Sequence, residues 1–258
     1  MKFTFESYQN LLAKIIENGY KIRSYQNFAE CEKPCIIRHD IDMDLDKAVE
    51  FARQETQIVY NGETVKSTYF ILVSSDFYNI FSKKNVENIQ TIIKMGHTIG
   101  LHFDEVKYQE ELENCKDKEE RIIKIQQYVE KEAELLGTVS GRKITEVSMH
   151  RPSKAILLAD IKFSGILNSY SKMFFENFKY VSDSRMHWNE NIENIVKSGE
   201  YKALHILVHP FWYSNQEEDM SLKLVRFLNM SKNKVYGSLN DNFRNLEDVI
   251  SKEQLKLE

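Results

Sequence analysis

The sequence is poor in the residues that punctuate or staple a fold. Cysteine occurs three times, at Cys31, Cys35 and Cys115. That odd number, with no Cys-x-x-Cys spacing, excludes a disulfide framework and argues against a structural zinc knuckle, so the three read as reduced thiols. With 3 prolines and 9 glycines in 258 residues there is little material for flexible linkers, which favours one domain over 1–258. No run approaches the roughly 20 apolar residues needed to cross a bilayer. Met1-Lys2-Phe3-Thr4-Phe5-Glu6 also lacks the basic start and the apolar stretch of about 7 to 15 residues that mark a secretory leader. Basic residues are not in excess either: 35 Lys and Arg face 39 Asp and Glu, a net charge of -4, which gives no general pull toward nucleic acid or an anionic membrane. The expectation is a soluble cytoplasmic protein with no membrane span and no nucleic-acid partner.

A hydrophobic content of 42% is enough for a sizeable core. Its apolar segments alternate between two kinds. Cys35–Ile37, Ser67–Val73, His97–His102, Ile144–Met149, Phe178–Val181 and Ala203–Val208 are short runs that read as strands, with a further candidate at Gly165–Leu167. Tyr8–Glu17, Leu45–Gln54, Val86–Lys94, Lys107–Leu136 and Asn189–Lys197 carry helical spacing, with Gly19 and Gly96 as stops. Strand and helix in alternation predict βαβ units and a parallel sheet. Six strands and a possible seventh predict an irregular or incomplete (β/α)7-type barrel.

The chemistry gathers where strands end. Asp40 and Asp42 stand two apart, so extended backbone points both to one side. Adjacent carboxylates repel unless a cation sits between them or one takes a proton, which suits a division into metal ligand and general base; the segment alone equally fits a solvated acidic loop with Asp44 and Asp46. Asp46 suits the cap or first turn of the following helix. His102 closes its strand, whereas His97 opens it roughly 16 Å away at about 3.3 Å per residue, so only His102 is the ligand candidate. His150 and Arg151 end the next strand, and His209 follows the last one. Tyr69, Phe211, Trp212 and Tyr213 offer flat faces for a sugar ring, and as aromatics beside strand ends they equally fit a place in the core. His205, within an apolar strand, reads as a hydrogen-bonded core residue.

Four of these segments, Arg38-His39-Asp40-Ile41-Asp42, Gly96-His97-Thr98-Ile99-Gly100-Leu101-His102, His150-Arg151-Pro152 and Leu207-Val208-His209, stand in the order of the motifs of the polysaccharide deacetylase superfamily. The chain resembles that superfamily (carbohydrate esterase family 4, NodB-homology fold) from about Cys35 to Trp212. The strings Gly100-Leu101-His102-Phe103-Asp104-Glu105 and His209-Pro210-Phe211-Trp212 resemble its WbmS-like subset. The resemblance implies that Asp40 is the general base, Asp42 and His102 are metal ligands, Arg151 orients the base and His209 is the general acid. Asp183 and Trp188 match more loosely a segment that tunes the acid and lines the groove.

One position departs from the pattern. Four residues after His102, where the family has a second ligand histidine, stands Val106, which cannot bind a metal. His150 is the first choice as third ligand, because its strand end should converge on the same mouth. Glu105 is the alternative, if its turn is helical. The implied function is metal-dependent removal of an N-acetyl group from a sugar or surface-polysaccharide precursor, nucleotide-linked or lipid-linked. The implied cofactor is a divalent metal, zinc first, with cobalt, manganese or nickel as substitutes. Two other functions remain open at this point: a carbohydrate-binding protein that kept the fold and lost the metal, and a hydrolase of another C–N bond in a small metabolite.

Overall fold

Seven parallel strands run in the order β5-β4-β3-β2-β1-β7-β6 in the computed structural model, which describes residues 1–60 and 62–255. They are β1 (Pro34–Ile41), β2 (Thr68–Leu72), β3 (Thr98–Asp104), β4 (Glu146–His150), β5 (Leu167–Asn168), β6 (Lys179–Ser182) and β7 (Leu204–Val208). The short strand Lys21–Ile22 adds to the start of β1. The expected incomplete seven-stranded α/β barrel is the fold found, its seventh strand being the two residues of β5.

The strands alternate with period two, one face toward helices and the other toward the inside of a curled sheet. Ile37, Ile41, Tyr69, Ile71, Ile99, Leu101, Val147 and Met149 belong to the clusters on the outer face. They pack with the apolar stripes of α1 (Phe5–Glu17), α2 (Leu45–Thr56), α3 (Lys83–Lys94), α4 (Lys118–Ser140) and α5 (Ile192–Ser198). Inside lie Ile36, Phe70, Phe174 and Phe178 at one level and polar side chains nearer the C-terminal ends. The curl is visible at Arg38 of the central β1. Its guanidinium bonds Ser169, just after one edge strand, and lies 6.0 Å from the Tyr180 ring of the other edge strand. Gly100 makes the inner face possible: a Cβ there would stand 2.5 Å from the Phe70 ring.

Helix ends follow local chemistry. Thr4, Asp44, Ser82, Asp117 and Asn191 each accept a backbone N–H in the first turn of the helix that follows. Asp44 therefore caps α2, and Asp46 is its first-turn acid. The pattern over Lys107–Leu136 is not one helix. A 3-10 turn and the short helix Gln109–Glu113 precede α4, whose start is the Asp117 cap.

The chain divides into two units, Met1–Asn215 and Gln216–Glu258. All seven strands belong to the first. The second is built on α6 (Met220–Asn242), capped by Asp219 accepting from the Leu222 N–H, with Glu218 paired to Arg226. Among the described residues no helix is long and apolar enough to cross a membrane.

Candidate metal centre

Asp42 follows β1, His102 lies on β3 and His150 ends β4. The sheet curl brings these three strand ends together. His102 Nε2 is 3.2 Å and His150 Nδ1 3.3 Å from Asp42 Oδ1, and the two ring nitrogens are 3.1 Å apart. Asp42 Oδ1 is buried and accepts no aligned hydrogen bond. Around one tetrahedral ion with bonds of about 2.0–2.1 Å, donor atoms stand about 3.3–3.4 Å apart. Two imidazoles and a carboxylate with that spacing fit a divalent cation and leave a fourth position open. Burial works to raise the Asp42 pKa, but the close imidazoles of His102 and His150 and the charge of His209 hold it well below the usual carboxylate range.

His150 thus stands where the third ligand was sought, and Glu105 does not. Glu105 accepts from the Ser153 N–H at 2.6 Å and from Arg121 at 3.0 Å, so its carboxylate is committed to holding the loop after β4. Val106 is half exposed and takes no part. Asp104 approaches the far side of His150, its Oδ2 3.9 Å from Nε2.

Asp40 is buried beside this group, its Oδ2 3.7 Å from His102 Nε2, with Ser148 Oγ 3.5 Å from each carboxylate oxygen. The expected Arg151–Asp40 pair is not formed. Arg151 sits at φ 45° in the left-handed region, which turns its exposed side chain onto Asp104 Oδ2 at 2.9 Å. Asp40 is held by Arg38, two residues earlier on the same face of β1, at 3.1 Å. Arg38 is fully buried and also donates to Ser169 Oγ at 2.7 Å and to Tyr170 Oη at 3.0 Å. Burial works against its charge, but Asp40 and the surrounding tyrosines keep its pKa high.

His209 stands across the cleft. Its Nδ1 is 2.7 Å from Asp183 Oδ1, which also accepts the His209 backbone N–H at 2.9 Å. Nε2 is 4.0 Å from Asp42 Oδ2. Burial works to lower its pKa, but the bond and charge of the buried Asp183, then Asp42 and Asp40, push it up to about 9. Asp183 is therefore the partner of His209 rather than a surface for substrate.

Asp40, Asp42, His102, His150, Arg151 and His209 line one cleft of about 520 Å³, with Tyr170 and Trp212 among its walls. Tyr69 is not one of them. It lies on the outer face of β2, fully buried, and donates to Glu55 Oε2 at 2.7 Å, so no sugar can stack on it. Tyr213 and Trp188 are buried as well. His205 bonds Tyr25 Oη at 2.6 Å inside the sheet, and His97 accepts from the Ser67 N–H at 3.2 Å.

Sequence reasoning missed Arg38 and Tyr170 at this site, and Glu55 beneath the sheet. Arg38 had a signal: it shares the period-two face of Asp40 and Asp42. Glu55 had one too, since it follows Leu45, Ala48 and Ala52 on the apolar stripe of α2.

No family model matches the chain, and no curated protein matches it. Solved structures do. BA3943, a CE4 family pseudoenzyme from Bacillus anthracis, is similar with a TM-score of 0.40 at 12% identity, over 83% of this chain and 65% of that one. The chain thus spans just under two thirds of that protein. The Streptococcus pyogenes deacetylase PplD, in complex with acetate, gives 0.37 at 11% over 80% and 81%. Peptidoglycan deacetylase PdaC from Bacillus subtilis gives 0.33 at 10% over 83% and 98%. Strand order and register establish the fold independently of these likenesses.

Proposed function

We propose that this protein is a metal-dependent hydrolase that removes an N-acetyl group from a sugar or surface-polysaccharide precursor, in the manner of the polysaccharide deacetylases and their WbmS-like subset, and that it works in the cytoplasm. One observation carries the reading. Three donor atoms 3.1–3.3 Å apart converge from three strand ends, with Asp40 on one side and His209 on the other.

Asp42, His102 and His150 would hold the divalent ion, zinc first. Such an ion supplies Lewis acidity toward an acyl carbonyl and lowers the pKa of water. Asp40 takes the proton of the attacking water, and Arg38 keeps its carboxylate aimed at the cleft. Asp183 holds His209 by Nδ1, so Nε2–H faces the cleft and gives its proton to the departing amine. In the metal-free protein Asp183, Asp42 and Asp40 push the His209 pKa up to about 9, so it carries that proton at neutral pH. Trp212 lines the cleft and offers a ring for a sugar to pack against, while the Tyr170 ring is taken by Arg38 and Phe175.

The test is acetate release from N-acetylated sugars by protein loaded with zinc, cobalt, manganese or nickel. The reading expects turnover that is lost on chelation and on Asp40→Asn. Release from small amides but not from sugars would make the protein a hydrolase of another C–N bond. Sugar binding with less than about a tenth of an equivalent of metal would make it a non-catalytic carbohydrate binder.

A further inference from the structure

We infer that Arg185 makes the mouth of this cleft a subsite for a phosphate group carried by the sugar, so that the substrate class is phosphorylated N-acyl sugars. The inference rests on the deacetylase reading above and names its substrate more narrowly.

The first ground is charge. Among the groups at the cleft, Asp40 is paired with Arg38, Asp183 with His209 and Asp104 with Arg151. Asp42 and Arg185 are left. A divalent ion at the triad more than neutralises Asp42 and leaves one positive charge, and Arg185 adds a second. Among the described residues no carboxylate pairs with Arg185, which is exposed and lines the cleft. A neutral N-acetyl sugar engages the charge at the triad through its acyl group but makes no use of Arg185, whereas a phosphate ester matches both the sign and the fork of the guanidinium.

The second ground is backbone conformation. Arg185 and Met186 lie at φ 56° and 55°, and Arg151, on the same rim, at φ 45°. Non-glycine residues rarely adopt this region, and they cluster where a side chain must be aimed. Here the two left-handed arginines are both wall residues of the cleft. Ser184 lies beside Arg185 at the same mouth, its hydroxyl 2.7 Å from Ser182 Oγ, and adds a hydroxyl donor for a phosphate oxygen.

Equilibrium binding by calorimetry tests the inference. The probes are an N-acetylhexosamine, its 1-phosphate and its nucleoside diphosphate ester, titrated into zinc-loaded wild type, Arg185→Gln and Arg185→Lys. Wild type should bind at least one phosphorylated sugar about tenfold or more tightly than the neutral sugar. Arg185→Gln should erase most of that preference, and Arg185→Lys should restore part of it. The 1-phosphate and diphosphate arms separate a simple sugar phosphate from a carrier-linked one. Equal affinity for neutral and phosphorylated sugars would overturn the inference, as would a preference undiminished by Arg185→Gln, which would assign the anion to the metal alone. Failure of the deacetylase reading shows separately, as tight binding of the phosphorylated sugar without acetate release.

Discussion

Replacing Arg38 by methionine removes the cation that faces Asp40 where no water can take its place. The side chains are 0% and 3% exposed and 3.1 Å apart. At an effective dielectric constant near 20, charges this close attract by roughly 5 kcal/mol. Breaking one partner of a buried pair costs about 3–5 kcal/mol, because the other charge is left uncompensated. Arg38→Met and Asp40→Asn should therefore each destabilise by that amount. The double variant, which strands no charge, should lose less than the sum by about 2 kcal/mol or more. Urea unfolding followed by tryptophan fluorescence measures this in the first unit alone, since Trp188 and Trp212 both lie there. With an m-value of about 3 kcal/mol/M, each single variant should shift the midpoint by about 1–1.7 M. Single variants that cost under about 1 kcal/mol and add without coupling would refute the pairing of Arg38 with Asp40.

Two further outcomes follow from buried ionisable groups. Burial works to raise the Glu55 pKa, but His39, His97 and the Ser67 hydroxyl bring it down to about 2 from an ordinary 4.5. Its contribution, roughly 3 kcal/mol, is fully present above about pH 4.5 and is lost as pH falls toward 2. Unfolding free energy measured against pH should show that acid limb in wild type and a flatter one in Glu55→Gln; identical slopes would contradict it. His209, pushed up to about 9, stabilises the fold below its ordinary 6.5 and loses that contribution as pH rises through 9. An imidazole NMR titration of metal-free protein should find that midpoint, and Asp183→Asn should move it down.

Much of the fold was legible because its units are short. Each apolar run followed by Asp, His or Arg marks a strand ending at the open face of a parallel sheet, and those ends carry Asp42, His102, His150 and His209. What stayed hidden depended on partners distant in sequence. Arg38 looked like the first residue of a polar loop, and only the curl of the sheet brings Ser169 and Tyr170 against it. Arg151 looked like its substitute because the chain direction at Pro152 does not reveal a left-handed φ one residue earlier. Tyr69 looked like a wall of the site, but strand parity points it to the helix side, where Glu55 receives it. The stop before α4 was written in Asp117, a cap inside what reads as continuous amphipathic spacing.

Zinc stoichiometry of wild type, His150→Ala and Glu105→Gln, measured by elemental analysis and competition titration after reconstitution, bears most directly on the three-ligand centre. One equivalent should bind to wild type and to Glu105→Gln, with affinity reduced more than about a hundredfold in His150→Ala. A His150→Ala protein that binds like wild type, or loss of zinc in Glu105→Gln instead, would contradict the centre described at Asp42, His102 and His150.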